Sequence, residues 1–184
     1  MSSKRNKFDK KDSLELGEQA EQVFVNIARS KGWRVQAAES RSNIDEHWDF
    51  WLIKDEKKYR VDVKACKRIR RQDSQVQDKW VWIELHGVRA GDRGWLFDGK
   101  ADLLAFETRT SFIIVKRSEL IDLVNTLLLK TECVKSPENA QYKVYTRKGR
   151  PDQLTLIETA KLQSIQYVEW PKPKDSKHEI KNGY

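Results

Sequence analysis

A chain of 184 residues is long enough for one domain with its own core and short for two. Only 38% of residues are hydrophobic and 35% are charged, and the formal charge of +8 favours a polyanionic partner, nucleic acid or an anionic membrane surface, over a surface kept basic for solubility. No run approaches the ~20 apolar residues of a membrane span, no apolar stretch follows the basic N-terminus, and Cys66 and Cys133 are too few for a disulfide framework, so reduced thiols in a cytoplasmic protein are expected.

Residues 1–11 are polar and charged and read as a loose basic arm. From Asp12 the pattern turns helical: Leu16, Ala20, Val23, Phe24, Ile27 and Ala28 recur at three- and four-residue spacing, and Gly32 supplies the stop. Trp33, Val35 and Ala37 then alternate as in a strand, followed by a polar loop from Ala38 to Asn43. Strands are expected at His47–Lys54, Lys58–Cys66 and Lys79–His86, and shorter ones at Trp95–Phe97, Leu103–Glu107 and Phe112–Lys116. Ser118 is placed to cap a helix Glu119–Lys130, and Tyr142–Thr146 and Leu154–Glu158 read as a hairpin. A short helix near Thr159–Ser164 and a strand near Gln166–Trp170 close the domain, and 171–184 reads as a disordered tail. The order indicates one α/β domain over 12–170, a central mixed β-sheet flanked by helices.

The tripeptide Asp62-Val63-Lys64 fits the pattern acid-x-Lys, which recurs often in so charged a chain. Its setting distinguishes it. Tyr59, Val61, Val63 and Ala65 alternate with Arg60, Asp62, Lys64 and Cys66, so Asp62 and Lys64 share the face opposite the apolar one. Charge in the middle of a buried-looking strand needs a reason.

If the two preceding strands form a hairpin centred on Asp55-Glu56, residues whose numbers sum to 111 lie opposite each other. Trp48 then meets Val63, Phe50 meets Val61 and Leu52 meets Tyr59, an all-apolar face, while Asp49 lands opposite Asp62. A slip of one residue would set apolar against charged side chains, so burial selects this register. Two carboxylates ~5 Å apart repel each other unless they share a cation. Magnesium suits such a pair, with manganese able to substitute, because it takes few carboxylate oxygens and leaves positions for water and phosphate. It could activate a water against a phosphodiester, with Lys64 facing the same centre.

On the first helix Glu21 sits at the border of the apolar arc and alone could reach the sheet, as ligand to a metal-bound water or second ion; otherwise it is a solvated flank. Lys67, Arg68, Arg70 and Arg71 follow the strand and either track a phosphate backbone or form a solvated strand end. Trp80 and Trp82 share a face with Glu84 and either stack a base or pack on a neighbouring element. His47 is either a proton-transfer partner or a surface residue. The basic turn Arg147-Lys148-Gly149-Arg150 contacts DNA or is an ordinary exposed turn.

These residues resemble the PD-(D/E)xK nucleases, the restriction-endonuclease-like superfamily that includes junction resolvases and phage exonucleases. Gly17-Glu18-Gln19-Ala20-Glu21 resembles the acid-bearing helix, Asp49 in His47-Trp48-Asp49-Phe50 the first strand acid, and Asp62-Val63-Lys64 the second motif. Trp48 stands where the family has proline, and the likeness spans residues 14–66, within an expected catalytic core of 14–86. The resemblance implies metal ligation by Asp49, Asp62 and the Val63 carbonyl, with Lys64 as catalytic lysine. The expected function is a Mg2+-dependent DNA endonuclease, a homodimer without membrane association. The alternatives are a non-catalytic nucleic-acid-binding protein on the same fold and a nuclease acting on RNA.

Overall fold

A computed structural model describes residues 7–39, 45–70, 72–88 and 91–173, with side chains from residue 14 onward. The chain opens with helix α1 (Lys7–Ser30), and Ala20, Phe24, Ile27 and Ala28 form its buried stripe. Gly32, at φ +80°, ends it in a Schellman turn: Gly32 N–H bonds the Arg29 carbonyl at 2.9 Å and Trp33 N–H the Ala28 carbonyl at 3.0 Å. Strands β1 (Arg34–Ala37), β2 (Phe50–Lys54) and β3 (Lys57–Lys64) follow, then β4 (Trp80–His86) and a single helical turn, α2 (Gly94–Phe97). Strands β5 (Leu103–Glu107) and β6 (Ser111–Lys116) lead into helix α3 (Arg117–Leu127). The chain continues through β7 (Leu129–Val134), β8 (Lys143–Thr146), β9 (Gln153–Glu158), a 3-10 segment (Thr159–Ser164) and β10 (Tyr167–Pro171).

The strands build two sheets, with orders β1-β2-β3-β5-β6-β10 and β4-β9-β8-β7, each mixed through one parallel pair, β3 with β5 and β7 with β8. On one face of the six-stranded sheet, Phe24 and Ala28 of α1 pack on Leu52, Val61, Val63, Ala105 and Phe112. The other face, with Leu104, Phe106, Ile113 and Val115, shares a core with Val81, Ile83 and Leu85 of β4, Ile157 of β9 and Leu120 and Val124 of α3. That common core makes the two sheets one α/β domain. Central strand β6, covered on both faces, is buried from Ser111 through Val115, which explains its unbroken apolar run.

Several expectations are corrected. A second sheet takes much of the face on which flanking helices were expected, because alternating Val81, Ile83 and Leu85 can bury one face only against another layer. Helix α1 reaches back to Lys7, into the stretch read as a loose arm; residues 1–6 and the tail from 174 lie outside the described residues. Trp95–Phe97 is helical, not extended: Gly94 enters it at φ +70°, and the Arg117 guanidinium takes the Leu96 carbonyl at 2.8 Å. Helix α3 begins one residue ahead of Ser118, with extended Lys116 at the cap, and gives way at Leu128 to the unexpected edge strand β7.

Phe24 is fully buried, with its ring 5.4 Å from that of Phe112 and 5.3 Å from that of Trp170. Phe24→Ala is expected to cost about 3–5 kcal/mol of stability, seen as a lowered urea midpoint with an unchanged denaturant slope.

Candidate active site

The hairpin of β2 and β3 forms in the expected register: Phe50 pairs with Val61, Trp51 with Arg60 and Leu52 with Tyr59. Asp62 and Lys64 therefore lie on the same face as Trp51, turned toward the second sheet. The ladder does not continue to Trp48, however. The Asp49 N–H bonds the Val61 carbonyl at 2.8 Å, and the Asp49 carboxylate accepts the Val63 N–H at 2.7 Å. A side chain thus does the work of the next strand residue, a charge-assisted bond in place of a backbone one. In an extended strand the N–H and C=O of one residue point the same way, so the Val63 carbonyl faces the side from which Asp49 approaches.

This break corrects the expected Trp48–Val63 pair. His47 adopts φ +55°, and Trp48 turns into the core between the sheets, 5% exposed, its ring 5.0 Å from that of Trp51. Asp49 nevertheless reaches its expected neighbour, because its carboxyl lies within hydrogen-bonding reach of Asp62.

Asp62 is 4% exposed, and the Lys64 ammonium stands 2.6 Å from its Oδ2. Burial pushes the Asp62 carboxyl above its usual range, against the pull of Lys64, Asp49 and Lys67. The Lys64 ammonium also lies 4.6 Å from the Trp95 ring centre. Sequence reasoning missed Trp95, since a contact between residues 31 apart has no local signature. Glu21 arrives from α1 on the other face, close enough to feel the charges of Asp49 and Lys64. Burial first, then Asp49 and Glu18, raise its carboxyl to about 7.

Asp49, Asp62 and Lys64 are thus brought together, whereas Glu21 lines a separate hollow with Gln22, Val25 and Phe50 on the helix side. The oxygens of the two aspartates suit a hard divalent cation. Among the described residues, no three His, Cys, Asp or Glu side chains are grouped so as to hold a metal by themselves. An ion here would rest on Asp49, Asp62 and the Val63 carbonyl and complete its shell with water and substrate oxygens. Neighbouring Cys66 is no alternative nucleophile: burial and Glu107 push its thiol up to about 12.

Lys64 opens onto a groove of about 1070 Å³ between the end of β3 and the outer face of β4. Eight Lys and Arg residues line it against four Asp and Glu, so it is net positive. Lys67 and Arg68 belong to this lining; crowding by the walls, then Lys64 beside it, pulls the solvent-touching Lys67 ammonium below its ordinary range. Arg70 also borders the groove but is tied to Asp73 at 3.0 Å, and Arg71 lies outside the described residues. The expected basic turn is present at the rim, where Arg147 pairs with fully buried Asp152. Trp80 and Trp82 pack on Tyr142 and Tyr145 and also line the groove, as does Glu84. His47 lines it as well, 3.7 Å from Asp92.

A carboxyl whose folded pKa is raised favours the fold when protonated. Below pH 4.5 Glu21 is protonated in both states; from there to about pH 7 folding stability falls, and above that the cost is constant. In metal-free protein Glu21→Gln should therefore stabilise at pH 8 and not at pH 4. The gain should be on the order of 1 kcal/mol, discounted for solvent at this half-buried group, and denaturant titrations in EDTA at the two pH values check it. No protein-family model, characterised protein or solved structure matches this chain.

Proposed function

We propose that the chain is a Mg2+-dependent DNA endonuclease of the PD-(D/E)xK type, with Mn2+ able to substitute. The observation that carries the reading is the convergence of Asp49, Asp62 and Lys64 at the end of one hairpin, with Glu21 within range of Asp49 from the helix side. A buried aspartate is costly to ionise unless cations face it, and the basic groove beside it suits a phosphate backbone. In this reading Asp49, Asp62 and the Val63 carbonyl hold the ion. Bound there, it supplies Lewis-acid polarisation of the phosphate and lowers the pKa of a water.

The protein's own residues do the rest. Asp49 is locked in place by the Val63 amide, so its carboxylate is preorganised. The Lys64 ammonium, held between Asp62 and Trp95, can donate to a phosphate oxygen as negative charge grows there. Glu21, near Asp49 on the helix side, would serve as ligand to a metal-bound water or a second ion. Lys67 and Arg68 meet neighbouring phosphates.

The test is cleavage of branched, duplex and single-stranded DNA with Mg2+ or Mn2+. Asp49→Ala, Asp62→Ala and Lys64→Ala should each lose at least about a hundredfold in rate. Mn2+ should raise the melting temperature of the wild type but not of the Asp49/Asp62 double variant. Metal-dependent cleavage that survives both Asp49→Ala and Asp62→Ala rules the site out.

A further inference from the structure

We propose that the groove beside Lys64 binds an unpaired polynucleotide strand, so that the bond presented to the site belongs to single-stranded or locally opened DNA. The cleavage half of this statement rests on the nuclease reading; the binding half does not. The first argument is recess. Asp62 is 4% exposed and the Lys64 side chain 21% exposed, at the side of a walled groove. An intact duplex is wide and stiff, so a recessed site is reached more readily by the phosphates of a flexible single strand. The second is size. About 1070 Å³ is the upper end of a small-ligand pocket, typically ~300–1,000 Å³. It has room for a few nucleotides and is too small to enclose a turn of duplex.

The third argument is the chemistry of the walls. Trp80, Trp82 and Tyr145 contribute aromatic surface, and Lys67, Arg68 and Lys148 contribute charge. Aromatic platforms interleaved with cations suit bases that are free to stack, and a paired base offers no such face. Trp80 and Trp82 are alternate residues of β4, on the side opposite buried Val81 and Ile83. Their backbones are about 6.7 Å apart along the strand, two stacking intervals of ~3.4 Å. Alternate bases of a stacked strand match that repeat.

Binding of labelled oligo(dT) and of a blunt duplex with the same number of phosphates, measured by fluorescence anisotropy in EDTA, tests the assignment. Oligo(dT) should bind at least about tenfold tighter. Trp82→Ala should weaken oligo(dT) about tenfold and leave the duplex nearly unchanged. Because Trp82 also packs on Tyr145 and bonds the Arg68 carbonyl, and Trp80 packs on Tyr142, Trp80→Ala is made in parallel with the same expectation, and the melting temperature of each variant shows that it is folded. Oligo(U) shows which sugar the groove accepts, and tighter binding of either single strand than of duplex supports the assignment. Duplex binding equal to or tighter than both overturns it. Cleavage with Mg2+ separates the two readings. Single-strand binding with no cutting of any DNA leaves the groove and removes the nuclease; Lys64-dependent cutting of intact duplex as fast as single strand does the reverse.

Discussion

The site depends on one hydrogen bond, from the Val63 amide to the Asp49 carboxylate. Backbone pairing between β2 and β3 stops at Phe50, and without a partner the Val63 N–H would be left unpaired in a half-buried strand end. The aspartate satisfies it and is itself immobilised. That exchange turns the entering chain, sends Trp48 into the core between the sheets, and leaves the Val63 carbonyl facing the same space as the carboxylate. A continuous ladder would instead have paired the Val63 N–H and carbonyl with the backbone of Trp48 and closed the site.

The electrostatics follow from that arrangement. Asp49 stands beside buried Asp62, Glu21 comes within range of Asp49 from the helix side, and burial pushes the carboxyls of both Glu21 and Asp62 above their ordinary range. Lys64 is the nearest compensating charge, held by Asp62 on one side and the Trp95 ring on the other. In a poorly solvated position such interactions are stronger than they would be in water, and so is the cost of leaving them unbalanced. A fold that keeps Asp62 buried beside Asp49 at this cost resembles sites where stability is given up for function.

The second sheet gives the site its surroundings. Strand β4 buries Val81, Ile83 and Leu85 in the shared core and turns Trp80, Trp82 and Glu84 outward, so one strand forms both a core layer and a groove wall. The buried Arg147–Asp152 pair fixes the base of the basic turn at the rim. Cations from the end of β3 and from this turn therefore meet across a space into which Lys64 also opens.

Local periodicity was enough to determine the hairpin. With a repeat of two, only one register of β2 on β3 buries Phe50, Leu52, Tyr59 and Val61 together, and it puts Asp62 and Lys64 on the other face. The stripe of α1 and its glycine stop were equally legible, as was the placing of Glu21 at the border of that stripe. Tertiary structure decided the rest. Periodicity reports which face is apolar but not what covers it, so the second sheet, the turn of Trp48 and the helical Trp95–Phe97 had no signal in the pattern. Lys64 meeting Trp95, and Glu21 sensing Asp49 from the far face, are contacts between distant stretches of chain, which only packing of the whole domain brings together.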